Sequence, residues 1–256
     1  MGLYVKSGGT WVLANPFVKS GGVWSRAKMY TRVGGAWVPN DIITTDFREY
    51  TAGAAPVDWT ARYTTTGWTT VVQTVAGSLS GKALRITKTA AQDNLLSWNS
   101  VPSIADVEVL MRWRAIEAWA DADNIVHACM RASGATGSET NYKVAVMGRT
   151  TGTLYQSFFN KAVAGTSTSF TAANGPTPNL ATNAWIWLRA RVNGTTLYRK
   201  MWHDGVAEPG TWDATLTDSS VSAAGWCGIS SYGANPNAEV DFYGVGLNGK
   251  TVPVPS

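Results

Sequence analysis

The chain has 256 residues, of which 15% are charged and 45% hydrophobic, with 13 Trp and 26 Gly. That argues against a helical protein and favours an all-β one with large aromatic surfaces. Of its 21 Lys and Arg, five (Lys6, Lys19, Arg26, Lys28, Arg32) lie before Asp41 with no acid among them; the other sixteen meet 17 Asp and Glu, so the net charge of +4 belongs to the first forty residues. Five scattered cations make no nucleic-acid surface. The sequence shows no membrane-spanning run, secretion signal or lipidation motif, so folding in a cytoplasm without a membrane partner is expected.

In chain order, the first element is a threefold repeat. Tyr4-Val5-Lys6-Ser7-Gly8-Gly9-Thr10-Trp11 returns as Phe17-Val18-Lys19-Ser20-Gly21-Gly22-Val23-Trp24 and as Tyr30-Thr31-Arg32-Val33-Gly34-Gly35-Ala36-Trp37. Each unit is a β-branched or aromatic run, a Gly-Gly turn and a second run, the pattern of a β-hairpin. One hairpin is marginal in water. Three copies bury their aromatic positions against one another with approximate threefold symmetry, or they pack against other chains. A homotrimer of intertwined chains is the oligomeric version of that arrangement. The cations and indoles suit a docking surface, with Lys6, Trp11, Lys19, Trp24, Arg32 and Trp37 as its candidates. Residues 1–40 are thus read as one module, 41–250 as a β-sandwich and 251–256 as a C-terminal tail.

Within 41–250 short β-runs are separated by Gly, Asn, Pro and Ser, at spacings near those of a sandwich. Strands are predicted at 42–47, 59–63, 69–74, 83–87, 94–98, 106–114, 124–131, 142–146, 154–159, 185–192, 195–203, 221–232 and 239–247, with one helical turn at 101–104. In the strand at 106–114, Val107, Val109, Met111 and Trp113 point to the core, and Glu108, Leu110, Arg112 and Arg114 point outward. Asn193-Gly194 reads as a type I′ hairpin turn rather than a glycosylation site. That turn opposes Ile186 to Met201, Trp185 to Trp202, Trp187 to Lys200 and Arg189 to Tyr198. The outer face of this sheet then carries Arg112, Arg114, Trp185, Trp187, Arg189, Arg191, Tyr198, Lys200 and Trp202. Rings that stack on sugar CH faces, beside guanidinium forks that hold hydroxyls and carboxylates, make these nine the glycan-binding candidates. Arg199 falls on the core side of its strand.

Other chemistry is sparse. Cys129 and Cys227 sit in apolar runs and read as buried free thiols. His127, in an apolar strand, reads as a satisfied core histidine, and neither it nor His203 lies near a nucleophile motif. No Cys/His set has zinc spacing and no Gly-rich loop opens a helix. Asp121 and Asp123 are the calcium candidates; no other cofactor is expected.

The Val-Lys-x-Gly-Gly-x-Trp units resemble those at the start of many tailed-phage structural proteins. Asp46-Phe47-Arg48-Glu49-Tyr50, Trp59-Thr60-Ala61-Arg62 and Gly81-Lys82-Ala83-Leu84-Arg85-Ile86 look like the opening of a concanavalin A-like (laminin-G-like) jelly-roll domain. Trp187 to Leu197 resembles its central hairpin. Trp202-His203-Asp204-Gly205, Glu208-Pro209 and Trp212 look like the loop that follows. Gly225-Trp226-Cys227-Gly228 and Asp241-Phe242-Tyr243-Gly244-Val245-Gly246 are similar to its closing strands. The resemblance implies an all-β, concanavalin A-like antiparallel sandwich behind a three-hairpin module. Its fold hosts lectins, glycosidases and structural domains, so it fixes no activity. Glycosidases of the laminarinase-like group use a Glu-x-Asp-x-(x)-Glu strand. Glu239-Val240-Asp241 begins such a string, but Gly244 and Val245 stand where the third acid belongs. The expectation is a non-enzymatic virion component, at the tail tip, on a fibre or decorating the surface. Its repeat would dock to other virion proteins and its sandwich would be displayed towards host glycan. The rivals are a polysaccharide depolymerase and a decoration protein without a ligand.

Overall fold

The structure is a computed structural model. It describes residues 41–255 except 65, 90–92, 119–123, 150–153, 171–182 and 234–236, together with six strands in the first forty residues. Those six form three separate antiparallel hairpins: β1 (Tyr4–Ser7) with β2 (Thr10–Leu13), β3 (Phe17–Ser20) with β4 (Val23–Arg26), and β5 (Tyr30–Val33) with β6 (Ala36–Pro39). In each hairpin the cation stands opposite the Trp: Lys6 to Trp11, Lys19 to Trp24, Arg32 to Trp37. Lys19 is exposed. The Gly-Gly turns and the side chains of Lys6, Trp11, Trp24, Arg32 and Trp37 lie outside the described residues.

The remainder folds into two antiparallel sheets. The strands are β7 (Ile42–Thr45), β8 (Trp59–Tyr63), β9 (Trp68–Thr74), β10 (Lys82–Lys88), β11 (Asn94–Trp98), β12 (Val107–Ala115), β13 (Asn124–Ser133) and β14 (Thr140–Arg149). They continue with β15 (Leu154–Val163), β16 (Thr166–Phe170), β17 (Ile186–Asn193), β18 (Thr196–His203), β19 (Ala214–Thr217), β20 (Trp226–Ser231) and β21 (Ala238–Leu247). The eight-stranded sheet runs β19-β18-β17-β12-β21-β10-β9, with β7 also on β21; the seven-stranded sheet runs β16-β15-β14-β13-β20-β11-β8. The long closing strand β21 is central because β12 takes one side while β7 and β10 share the other.

The core lies between the sheets. Val107, Val109, Met111 and Trp113 all face it as the alternation requires, beside Ile186, Leu188, Ala190 and Val192 of β17. At one end Trp59 stacks on Trp98 with centroids 5.3 Å apart, and Tyr243 meets both edge-on. Asp58 holds this cluster, accepting from the Tyr50 hydroxyl at 2.6 Å and the Trp98 indole at 3.1 Å. Arg199 is buried on this side, donates to Ser157 and stands 5.4 Å from the Phe159 ring centroid. Burial pulls its pKa down to about 10, opposed by Asp213.

The structure corrects three predictions and adds two strands. Segment 101–104 is a bend with an Ile104–Gly225 bridge, not a helical turn; Pro102 disfavours helical geometry at Val101. The strand predicted at 221–232 begins only at Trp226. Edge strands β16 and β19 escaped notice because Thr-Ser-Thr-Ser-Phe and Ala-Thr-Leu-Thr carry too few apolar residues to show a period. In the β17–β18 hairpin the loop is Gly194-Thr195, and Asn193 pairs with Thr196. Gly194 has φ 57° and Asn193 stays out of the left-handed region, as a turn with glycine at its first central position demands. Ile186 therefore opposes His203, Trp187 opposes Trp202, Arg189 opposes Lys200 and Arg191 opposes Tyr198. The slip moves every partner by two residues, so the faces survive although the pairs do not.

Candidate functional site

The outer face of the eight-stranded sheet is built by alternation. β12 turns Glu108, Leu110, Arg112 and Arg114 away from the core, β17 turns Trp187, Arg189 and Arg191, and β18 turns Tyr198, Lys200 and Trp202. Trp185 lies just before β17 with Arg112 and Arg114 over its ring at 4.6 and 4.5 Å. The nine predicted residues thus share one face.

Most of that face is closed. Arg112, Trp187, Arg189, Lys200 and Trp202 are buried, as are Glu108 and Leu110, so pointing away from the core does not leave them solvated. Charge can be buried only if it is matched, and here acids and bases alternate. Glu108 accepts from Arg189 and from Arg191 Nε at 2.8 Å. Asp241 pairs with Arg112, whose Nη2 also reaches Asp204 at 2.7 Å. Glu239 takes Arg114 Nε at 2.8 Å and Arg85 Nε at 3.0 Å. Glu208 bridges the like charges of Arg189 and Lys200, each at 2.7 Å. Burial tends to raise the Glu208 carboxyl, but those two cations overcome it and hold it below its ordinary value.

Residues 251–254, set apart as part of a tail by the sequence reading, help to roof the face. Val252 is 0% exposed and packs with Leu110, Trp187, Trp202 and Phe242. Its N–H donates to Glu108 at 2.9 Å and its carbonyl accepts from Arg189 at 2.8 Å. The strap lies so close to β21 that a Cβ at Gly246 would sit 2.1 Å from the Lys250 carbonyl oxygen.

One edge of the face stays open. Tyr198 and Trp212, both half-buried, have ring centroids 5.3 Å apart. Arg191 stands over Trp212 at 5.2 Å and Lys200 at 5.0 Å. Tyr198 opposes the exposed Thr215, and Thr196 opposes the exposed Thr217. The result is an aromatic shelf with a guanidinium and threonine hydroxyls at the edge formed by β17, β18 and β19. Trp212 was noted in the sequence only as part of a loop; no periodic signal marks a loop residue that folds back on a strand.

The remaining sequence candidates fare variously. Glu239 and Asp241 are adjacent acids on the outer face, but both are buried and held by arginines. Burial pushes Asp241 up to about 7 against the opposing pull of Arg112. Cys129 and Cys227 are buried free thiols, each raised to about 12 by burial. His127 is buried as expected but not satisfied: neither ring nitrogen has a hydrogen-bond partner. Asp121 and Asp123 lie outside the described residues, among which no group of three or more His, Cys, Asp and Glu could hold a metal ion.

No family model matches the sequence. No curated protein matches it either. Solved structures do. The carbohydrate esterase vb_24B_21 of the Shiga toxin-encoding bacteriophage phi24B aligns with a TM-score of 0.50 at 15% identity, covering 74% of this chain and 90% of that one. The exoplasmic/lumenal domain of VIP36, in its Ca2+/Man2-bound form, aligns with a TM-score of 0.51 at 10% identity, covering 83% and 90%. The domain is a concanavalin A-like jelly roll. The Emp46p carbohydrate recognition domain shares this jelly roll with a TM-score of 0.50 at 9% identity, over 76% of this chain and 90% of that one. At such identities the likeness establishes the fold and leaves the activity to the site.

Proposed function

We propose that this chain is a non-enzymatic virion protein of a tailed phage whose jelly roll binds host-surface glycan through the shelf of Tyr198, Trp212 and Arg191. The observation that carries this reading is the shelf itself: two half-buried rings beside a guanidinium and exposed hydroxyls, at an edge that nothing described covers. Pyranose CH faces stack on such rings while their hydroxyls reach the polar rim. The arginine pairing of Glu239 and Asp241 supports binding without hydrolysis, since each acid is already committed. The phage source is supported by the repeat's resemblance to tailed-phage proteins and by the phage esterase that shares the fold. The repeat is assigned to docking on other virion proteins, and copy number on the particle lets weak single sites act together.

The full-length protein on a glycan array tests the binding. Trp212→Ala combined with Tyr198→Ala should weaken the response at least tenfold, about the effect of losing one stacking contact with its buried area. A silent array, or binding indifferent to the pair, refutes the reading; new reducing ends or released acyl groups from host polysaccharide would favour a depolymerase instead. For docking, Trp11→Ala, Trp24→Ala and Trp37→Ala together should abolish incorporation into particles.

A further inference from the structure

The opposite sheet has an unusual outer face. Register across five of its seven strands sets Leu95, Ser230, His127 and Ala145 in one row and Ser97, Gly228, Cys129, Lys143 and Asn160 in the next. The core takes the alternate residues Val126, Ala128, Met130, Tyr142, Val144 and Val146, so these rows look away from it. Even so, Ser230, His127, Cys129, Lys143 and Asn160 are all buried. Some of the polarity is answered. Lys143 pairs with Asp93 at 2.7 Å, and the Asn160 amide donates to Ser167 and Ser169, each at 3.1 Å. The Ser230 hydroxyl and both His127 nitrogens have no partner. These are cross-strand neighbours on one face.

A buried polar atom left unpaired is costly, and three on adjacent side chains point to something that completes them. A neutral imidazole offers one donor and one acceptor, and a hydroxyl offers both. Their complement is a group that gives and accepts at neighbouring atoms, as vicinal hydroxyls do. Lys143 is already paired with Asp93, and an uncharged ligand leaves that pair intact. Asp93, with 19% of its side chain exposed, carries the cluster to the surface.

We propose that His127 and Ser230, flanked by the Lys143–Asp93 pair, bind one uncharged sugar residue through its hydroxyls. This site lies on the other sheet from the Tyr198–Trp212 shelf and does not depend on it. Burial, with Lys143 and Lys88 nearby, keeps the His127 ring neutral, which is the form that can both donate and accept.

The chain has two histidines, so the imidazole nitrogens of the labelled full-length protein can be followed by NMR, with His203→Gln to assign them. D-glucose, D-galactose, D-mannose and N-acetyl-D-glucosamine are the probes. At least one should shift the His127 nitrogens saturably. Ser230→Ala, a change small enough to leave the fold intact, should weaken that response by about tenfold, the loss of one buried hydrogen bond. His127→Phe should abolish the probe's thermal stabilisation. Trp212→Ala should leave the His127 response unchanged, which separates this site from the shelf. If no probe moves the His127 nitrogens, ordered water alone serves these atoms and the proposal fails. It fails equally if Ser230→Ala binds like the wild type.

Discussion

Replacing Gly246 with alanine is expected to strain or lift the C-terminal strap. Gly246 does not occupy the left-handed region, so alanine fits its backbone, and relief from glycine's entropy should by itself stabilise the strand by roughly 0.5–1 kcal/mol. The new Cβ would, however, lie 2.1 Å from the Lys250 carbonyl oxygen and 3.4 Å from Val252 Cγ2. The nearer atom is backbone, which cannot swing aside without moving the strap. Overpacking of this kind costs roughly 1–3 kcal/mol. The other route, detachment, gives up the burial of Val252, worth roughly 1.5–3 kcal/mol, and strips its backbone bonds from Glu108 and Arg189. The cheaper route, overpacking, prevails, and glycine's entropy relief offsets part of it, so Gly246→Ala should lower stability by about 1 kcal/mol net. Urea unfolding monitored by Trp fluorescence measures it. Val252→Ala should also destabilise, by roughly 1–3 kcal/mol. The double variant should fall short of the sum, because truncating Val252 loosens the strap on which the new Cβ presses. Gly246→Ala within about 0.5 kcal/mol of wild type, or strict additivity, refutes the strap's role.

Three other outcomes are expected. Gly194→Ala should cost about 1 kcal/mol because its φ is 57°, whereas Asn193→Ala should be nearly neutral; the reverse order would restore the Asn193-Gly194 turn. Cys129 and Cys227, buried with thiols raised to about 12, should resist a thiol reagent until the protein unfolds; prompt reaction of the native chain would contradict their burial. The carboxyl of Asp241 is raised to about 7 in the fold, chiefly by burial, against an ordinary value of 3.8. The native state then holds a proton that the unfolded state has lost between those values, so this contribution to stability is present at low pH and lost as pH rises through the window. The stability of wild type relative to Asp241→Asn should therefore fall from about pH 4 to about pH 7. A flat difference would show that Arg112 and the Leu79 N–H keep Asp241 ionised throughout.

Much of the architecture is legible residue by residue. Val107, Val109, Met111 and Trp113 reach the core because strand geometry alternates every two residues. The three Gly-Gly units form three hairpins because the repeat is local. The outer face of the eight-stranded sheet also holds the nine residues chosen for it, since the two-residue slip preserved parity. Exposure was not legible. Alternation tells which way Arg112 and Arg189 point, but not that Glu108, Asp241, Asp204 and Glu208 will meet them there. Those acids come from other strands and loops, and their pairing closes the face.

By itself, then, the sequence determined the all-β class, the hairpin repeat, the sandwich and the side of each strand that meets the core, because periodicity and turn chemistry act over a few residues. Tertiary structure decided what remains accessible. The strap over Gly246 and Val252, the bending back of Trp212 onto Tyr198, and the unanswered nitrogens of His127 beside Ser230 all join positions distant in the chain. Whether a polar side chain is a ligand group or a structural one depends on such partners, and no local period encodes them.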